Sequence, residues 1–166
     1  MRIAVVGVTG LIGRRLSRAL VARGDEVVGL SRRGADVPGV RAVRWDPATE
    51  PLPATALEGV DAVVNLAGEP IERGRWTAER RRAILESRVG TTRRIVDALA
   101  ATGARSLVNA SAVGYYPSGE RVLDESSPPG EGFLAETCVA WEQAARDAEH
   151  LGARVVLARI GVVLAR

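Results

Sequence analysis

The sequence predicts an α/β protein, a doubly wound parallel sheet with helices on both faces, and three observations lead there. Short β-branched runs alternate with helical patterns along the chain. The strand runs are apolar on both sides, as befits strands covered on two faces by right-handed crossovers. The turn between the first strand and the first helix is rich in glycine.

The elements follow in order. Arg2-Ile-Ala-Val-Val-Gly7 reads as a strand, and Leu11 to Arg23, apolar at 11, 12, 16, 19 and 20, as a helix. Glu26 to Ser31 is a second strand and Val40 to Trp45 a third, after which the prolines of Asp46 to Pro53 impose an irregular stretch. Asp61 to Ala67 is a nearly all-apolar fourth strand. Thr77 to Ala101 has helical periodicity, with Ile84, Val89, Ile95, Val96 and Leu99 on one side. Ser106 to Ser111 is a fifth strand, Gly114 to Gly132 a loop, Phe133 to His150 a helix and Arg154 to Arg159 a sixth strand. No repeat or linker divides the chain, so residues 1–166 read as one domain.

Composition removes whole classes of function. With 46% hydrophobic and 26% charged residues the chain is neither disordered, collagenous nor a coiled coil. All 23 basic residues are arginine, against 20 acidic ones, for a net charge of +3. Without lysine there is no Schiff-base chemistry, no P-loop lysine and no lysine-dependent proton relay. The arginines are scattered, which argues against nucleic acid as a partner, and Arg80 to Arg82, flanked by Glu79 and Glu86, reads as a solvated helix face. Cys138 is expected to act as a small apolar residue and His150 as helix surface, so neither disulfide nor zinc is expected. No apolar run is long enough to span a membrane. Met1 to Gly13 has the length of a signal peptide, but Arg14-Arg15 stands where a small-residue cleavage site belongs, so a cytoplasmic location is expected.

Gly7-Val-Thr-Gly10-Leu-Ile-Gly13 carries the first chemical signal. Between strand and helix, such a turn lets backbone amides and the positive helix end meet a pyrophosphate, while the last glycine permits close helix–strand packing. This is the turn of a Rossmann-type dinucleotide fold. At the end of the second strand, where an NAD site carries an acid for the ribose 2′-hydroxyl, the chain has Ser31-Arg32-Arg33. A hydroxyl and two guanidinium groups suit a 2′-phosphate, which points to NADP(H), although Arg33 reads equally well as a solvated turn residue. Asp46 is either an acceptor for the adenine amino group or the cap of an Asp-Pro turn.

Together these residues resemble the extended short-chain dehydrogenase/reductase superfamily, in its atypical, epimerase-like branch. The match rests on the glycine turn, Ser31-Arg32, Trp45-Asp46-Pro47, Asn65-Leu-Ala-Gly-Glu-Pro-Ile71, Gly74-Arg-Trp-Thr77 and Ser87-Arg-Val89. It continues through Ser111-Ala-Val-Gly-Tyr-Tyr116, Asp124 to Pro129, Trp141-Glu142 and Arg159-x-Gly161-Val-Val-Leu164. The resemblance implies NADP(H) lying across the strand ends, contacted by Gly7, Thr9, Gly10, Leu11, Ile12, Gly13, Ser31, Arg32, Arg33 and Asp46. It adds Leu66, Ala67 and Gly68 on the adenosine and ribose side, Arg88 from the long helix, and Val162. Asn65 has an alternative role in satisfying local backbone.

Two departures from that family stand out. Its reductases use a tyrosine with a lysine four residues on, and the corresponding helix here begins Phe133-Leu-Ala-Glu-Thr137, with neither. Ser111 matches the family's serine, and Tyr115 or Tyr116 is a candidate for the nicotinamide side, or else packs and anchors a loop; in a catalytic reading Ser111 and Tyr115 orient the substrate oxygen. A tyrosine without a neighbouring cation is a poor base, so an arginine would have to supply the field. The family also continues past Gly161-Val-Val-Leu164 into a substrate-binding part. Two functions are therefore expected to compete: an NADP(H)-dependent oxidoreductase or epimerase acting on a small-molecule carbonyl, alcohol or sugar nucleotide, and a non-catalytic NADP(H)-binding module. A homodimer is compatible with either.

Overall fold

The computed structural model describes residues 1–164 apart from Ala35, Arg73 and Ala104. The six strands are β1 (Arg2–Val6), β2 (Glu26–Ser31), β3 (Val40–Arg44), β4 (Ala62–Asn65), β5 (Ser106–Ala112) and β6 (Arg154–Ile160). They form one sheet in the order β3-β2-β1-β4-β5-β6 with every neighbouring pair parallel. This is the doubly wound, Rossmann-type order, and its direction of winding reverses between β1 and β4.

Three α-helices cover the sheet: α1 (Leu11–Ala22), α2 (Ala78–Thr102) and α3 (Phe133–Arg146). On one face Ile3, Val5 and Val27 pack with Val8, Leu20 of α1 and Val37. On the other, Ala4, Val6, Val28, Leu30, Val63 and Leu107 pack against Ile95 and Leu99 of α2 and Ala145 of α3. The stripe expected on α2 is buried throughout, including Ile84 and Val89. Helix α2 starts where Thr77 accepts from the Arg80 amide at 3.2 Å and stops at Gly103, whose φ of +68° ends the helical run.

The boundaries differ from expectation where the chain is captured locally. The fourth strand ends at Asn65 rather than Ala67, because the Asn65 side chain takes the Ala67 amide and bends the chain away from the ladder. The last helix leaves α geometry at Arg146 and tightens into a 3-10 turn over Asp147–Leu151 before Gly152. The β3–β4 connection carries only a 3-10 turn at Ala54–Ala56, in keeping with its prolines. Edge strand β3 is not apolar on both faces: Arg41, Ala42 and Arg44 are exposed. Arg80 is also not the solvated residue expected, since it turns inward to pair with Glu69 at 3.0 Å. Cys138 is buried and His150 exposed, as expected. No helix among the described residues is long and apolar enough to cross a membrane.

A chain of buried polar side chains ties the two inner helices to the sheet. Asn65 Nδ2 donates to Thr92 Oγ1 at 3.0 Å and to Asn109 Oδ1 at 2.7 Å. Trp141 Nε1 of α3 donates to the same Thr92 oxygen at 2.9 Å. Thr92, Asn65 and Asn109 have no solvent exposure, so their polar groups depend on partners within the protein. Thr92→Val keeps the shape but removes the shared acceptor, and is expected to cost about 1–3 kcal/mol in urea unfolding. Thr92→Ser should recover most of that loss.

Candidate functional site

The strand ends form a crevice at the β1/β4 reversal, and its floor is the glycine turn. Gly7 sits at φ +80°, and a Cβ there would lie 2.9 Å from the Leu66 carbonyl carbon. The turn can approach the end of β4 only as glycine. Gly13, inside the first turn of α1, would put a Cβ 2.3 Å from the Gly7 carbonyl oxygen, so it is required for helix–turn packing. Gly10 differs. Its φ of −70° suits any residue and an added Cβ would meet only the Gly7 oxygen, at 3.3 Å. Its backbone is unstrained, and what glycine provides there is a bare surface. Helix α1 begins without a side-chain cap or an acidic residue, leaving the amides of Leu11, Ile12 and Gly13 without helical acceptors. Thr9, Gly10 and Leu11 are exposed around them.

The end of β2 forms one side of this crevice. The Ser31 hydroxyl donates to the Gly34 carbonyl at 2.5 Å. Arg32 and Arg33 are exposed, and Arg44 Nε donates to the Arg32 carbonyl at 3.3 Å. Arg14 lies between the turn and this loop, its Nε donating to the Thr9 carbonyl at 3.0 Å and its Nη1 to the Asp36 carbonyl at 3.3 Å. Asp46 serves as the turn cap considered from sequence: its Oδ1 accepts from the Ala48 amide at 3.0 Å.

Opposite stands the turn Leu66-Ala67-Gly68. Its backbone is fixed by the Asn65 side chain and backed by Arg88 from α2, whose Nη1 donates to the Glu69 and Ile84 carbonyls, each at 3.1 Å. A Cβ on Gly68 would lie 3.2 Å from the Arg88 guanidinium carbon, so backbone and cation are in close contact. Burial pulls the Arg88 pKa below the ordinary arginine value, against the opposing influence of Cys138 and Glu69. The guanidinium also faces the Trp141 ring at 5.3 Å.

Ser111, Tyr115 and Tyr116 come together around a pair that the sequence reading had not placed in the site. Glu142 of α3 and Arg159 of β6 form a two-pronged ion pair, with Nε to Oε1 at 2.8 Å and Nη2 to Oε2 at 2.9 Å. The Ser111 hydroxyl donates to Glu142 Oε1 at 2.6 Å. Arg159 Nη1 donates to the Tyr116 hydroxyl at 2.8 Å and to the Glu125 carbonyl at 3.1 Å, and its guanidinium carbon lies 3.6 Å from the Tyr115 ring centre. Arg159 is thus the arginine that faces both tyrosines. Burial alone would raise the Glu142 pKa, but the Arg159 and Ser111 hydrogen bonds and the arginine charges hold it below the ordinary carboxylate value. The Glu142 contact in turn raises Arg159.

Both residues carry a signal in the sequence. Glu142 falls on the inward face of α3 with Cys138, Trp141 and Ala145, where a charge must be paired. Arg159 is in register with Ser111, on the side of β6 shared by Val155 and Leu157. Tyr116 lines a cleft of about 840 Å³ bounded by Val113, Gly114, Leu123, Glu131 and Leu134. At the start of α3 the Phe133 ring stacks edge-on against Trp76 at 5.6 Å, and Thr137, four residues on, is buried with its hydroxyl unpartnered. Val162 lies past β6 and is 88% exposed.

The profile of the family described as "NAD dependent epimerase/dehydratase family" matches residues 3–165. Epimerase family protein Mb2239 of Mycobacterium bovis is 44% identical over 163 residues, 98% of this chain and 54% of that protein. The crystal structure of human epimerase family protein SDR39U1 (isoform 2) with NADPH superposes with a TM-score of 0.81 at 38% identity, covering 100% of this chain and 55% of that one. That of a nucleoside-diphosphate sugar epimerase from Corynebacterium glutamicum gives 0.82 at 36% identity, covering 99% of this chain and 34% of that one. The chain spans about half the length of the curated relatives it matches.

Replacing Arg159 by methionine strands the Glu142 carboxylate, which is only 4% exposed. Breaking a buried pair from one side costs about 3–5 kcal/mol, and urea unfolding at neutral pH should show a loss of that order. A carboxyl held below its ordinary value of 4.5 contributes stability that is complete above that value and lost as pH falls through the folded-state value. Without the cation, burial instead favours the protonated acid, so the Arg159→Met deficit should narrow on acidification. A deficit independent of pH would contradict the assignment.

Proposed function

This chain belongs to the NAD dependent epimerase/dehydratase family, and from that premise we propose that it binds NADP(H) across the β1/β4 crevice, as the cofactor-holding part of an oxidoreductase or epimerase. The observation that carries the reading is the close approach of the glycine turn to the end of β4, where a Cβ on Gly7 would lie 2.9 Å from Leu66 backbone, beside the uncapped start of α1. This bare cradle of amides suits a pyrophosphate. Ser31, Arg32 and Arg33 would receive a 2′-phosphate, with Leu66, Ala67 and Gly68 along the ribose and Arg88 behind them. The human relative whose structure carries NADPH supports the choice of the phosphorylated dinucleotide.

When bound, the dinucleotide supplies hydride transfer. The protein's own part is to orient a substrate oxygen and move its proton. We assign this to Tyr116, because it lines the 840 Å³ cleft and, with Arg159 donating to its oxygen, keeps its own O–H as a donor. Ser111, with its proton given to Glu142, offers only lone pairs and acts by fixing the ion pair that holds Arg159. The substrate class proposed is a small carbonyl or alcohol. The absence of a tyrosine–lysine pair from α3, which begins Phe133-Leu-Ala-Glu-Thr137 in a chain without lysine, favours a second reading, a module that holds NADP(H) without turnover.

Calorimetry on this chain tests the first claim. NADPH should bind at least ~10-fold more tightly than NADH, a gap of about 1.4 kcal/mol that a charge-assisted phosphate contact supplies. Equal constants would refute the phosphate assignment. Gly10→Val should abolish binding of both dinucleotides while the chain stays folded, since that backbone is unstrained. For the chemistry, NADPH oxidation by generic ketones and aldehydes should stay near background with this chain alone. Robust turnover that survives Tyr115→Phe and Tyr116→Phe would refute the choice of residues.

A further inference from the structure

We infer that Arg14 is a preorganised determinant of 2′-phosphate selectivity, a role that Arg32 and Arg33 do not fill alone. The inference rests on the NADP(H) reading above and deepens it. Arg14 follows the last glycine of the turn and belongs to the first turn of α1. Its guanidinium bridges two backbone segments, with Nε on the Thr9 carbonyl at 3.0 Å and Nη1 on the Asp36 carbonyl at 3.3 Å. Thr9 belongs to the pyrophosphate turn and Asp36 to the loop after β2, so the cation spans the gap between the phosphate cradle and the end of β2. These two bonds use Nε and Nη1, and among the described residues the Nη2 amino group has no acceptor.

Three facts favour an anion here. Among the described residues, no carboxylate pairs with Arg14, Arg32 or Arg33. A cation in the first turn of a helix opposes the helix dipole, a placement favourable only when negative charge sits beside it. Arg32 and Arg33 are exposed and must surrender side-chain freedom on binding, whereas Arg14 is half-buried and already held by two carbonyls. A guanidinium held at Nε and Nη1 has its plane fixed and keeps the Nη2 hydrogens for phosphate oxygens.

The test uses ligands that lack the nicotinamide, so that only the adenosine end is read. Dissociation constants for 2′,5′-ADP and 5′-AMP are measured by calorimetry on the wild-type chain and on Arg14→Gln and Arg14→Lys. Glutamine removes the charge but retains an amide donor for the strap, and lysine keeps the charge without the fork. Arg14→Gln should weaken 2′,5′-ADP by about tenfold or more and 5′-AMP by less than about threefold, with Arg14→Lys between wild type and glutamine. Equal weakening of both ligands would show that Arg14 merely straps two loops, and no weakening of either would show that it is idle; each overturns the inference and leaves the cofactor reading standing. If the wild-type chain binds 2′,5′-ADP no better than 5′-AMP, the NADP(H) reading falls and this inference with it. Should Arg14→Gln melt early, the same comparison on Arg14→Lys decides, since loss of the fork should still fall on 2′,5′-ADP alone.

Discussion

The close approach of two pieces of backbone, Gly7 against Leu66, is the constraint on which the rest of this molecule depends. A parallel sheet whose winding reverses between β1 and β4 opens a crevice at the strand ends, because the connections on either side leave in opposite directions. Here the crevice is kept narrow by a turn with no side chain at Gly7 and a helix that starts against it with none at Gly13. The same absence of side chains leaves the first amides of α1 bare. The packing of the turn and the bareness of the helix start therefore draw on one set of glycines. Their roles divide, since Gly7 and Gly13 answer to packing and backbone conformation, whereas Gly10 is unstrained and leaves a bare surface.

The opposite wall is held from behind. The turn after β4 is set by the Asn65 side chain, which is itself fixed by Thr92 on α2, and Thr92 is reached by Trp141 on α3. A fully satisfied buried network of this kind has one good arrangement, because any slip leaves a polar group without a partner. It gives an otherwise apolar interface a defined register, and it passes that register to the backbone facing the crevice. Arg88 adds a cation at the same place, wedged between Gly68 and the Trp141 ring.

Across the sheet, the chain meets the absence of lysine with a different charge arrangement. Arg159 is neutralised by Glu142 and shared with Tyr116, Tyr115 and the Glu125 carbonyl, so one guanidinium ties β6, α3 and the loop after β5 together. A guanidinium suits this role better than an ammonium group, since its flat fork makes two parallel bonds to a carboxylate, keeps a further donor for a phenol oxygen and stacks on an aromatic face. The arrangement is rigid. It holds Tyr116 at the edge of the cleft.

What the sequence determined by itself was whatever local pattern encodes. The parallel sheet, the strands from Arg2, Glu26 and Ser106, the stripe of α2 and the glycine turn were all legible, because periodicity and glycine spacing act within a few residues. So was the acid-free end of β2. Tertiary structure alone decided which distant residues meet. Glu142 and Ser111 stand 31 positions apart and Arg14 reaches Asp36 across 22, and no spacing rule connects such pairs. It decided that Arg80, in a run that reads as solvated, turns inward to Glu69, and that Asn65 spends its amide on Thr92 and Asn109 as well as on local backbone. The physical reason is common to all of them. A buried polar group must find a partner, and which partner it finds is fixed only when the sheet and helices have brought the candidates together.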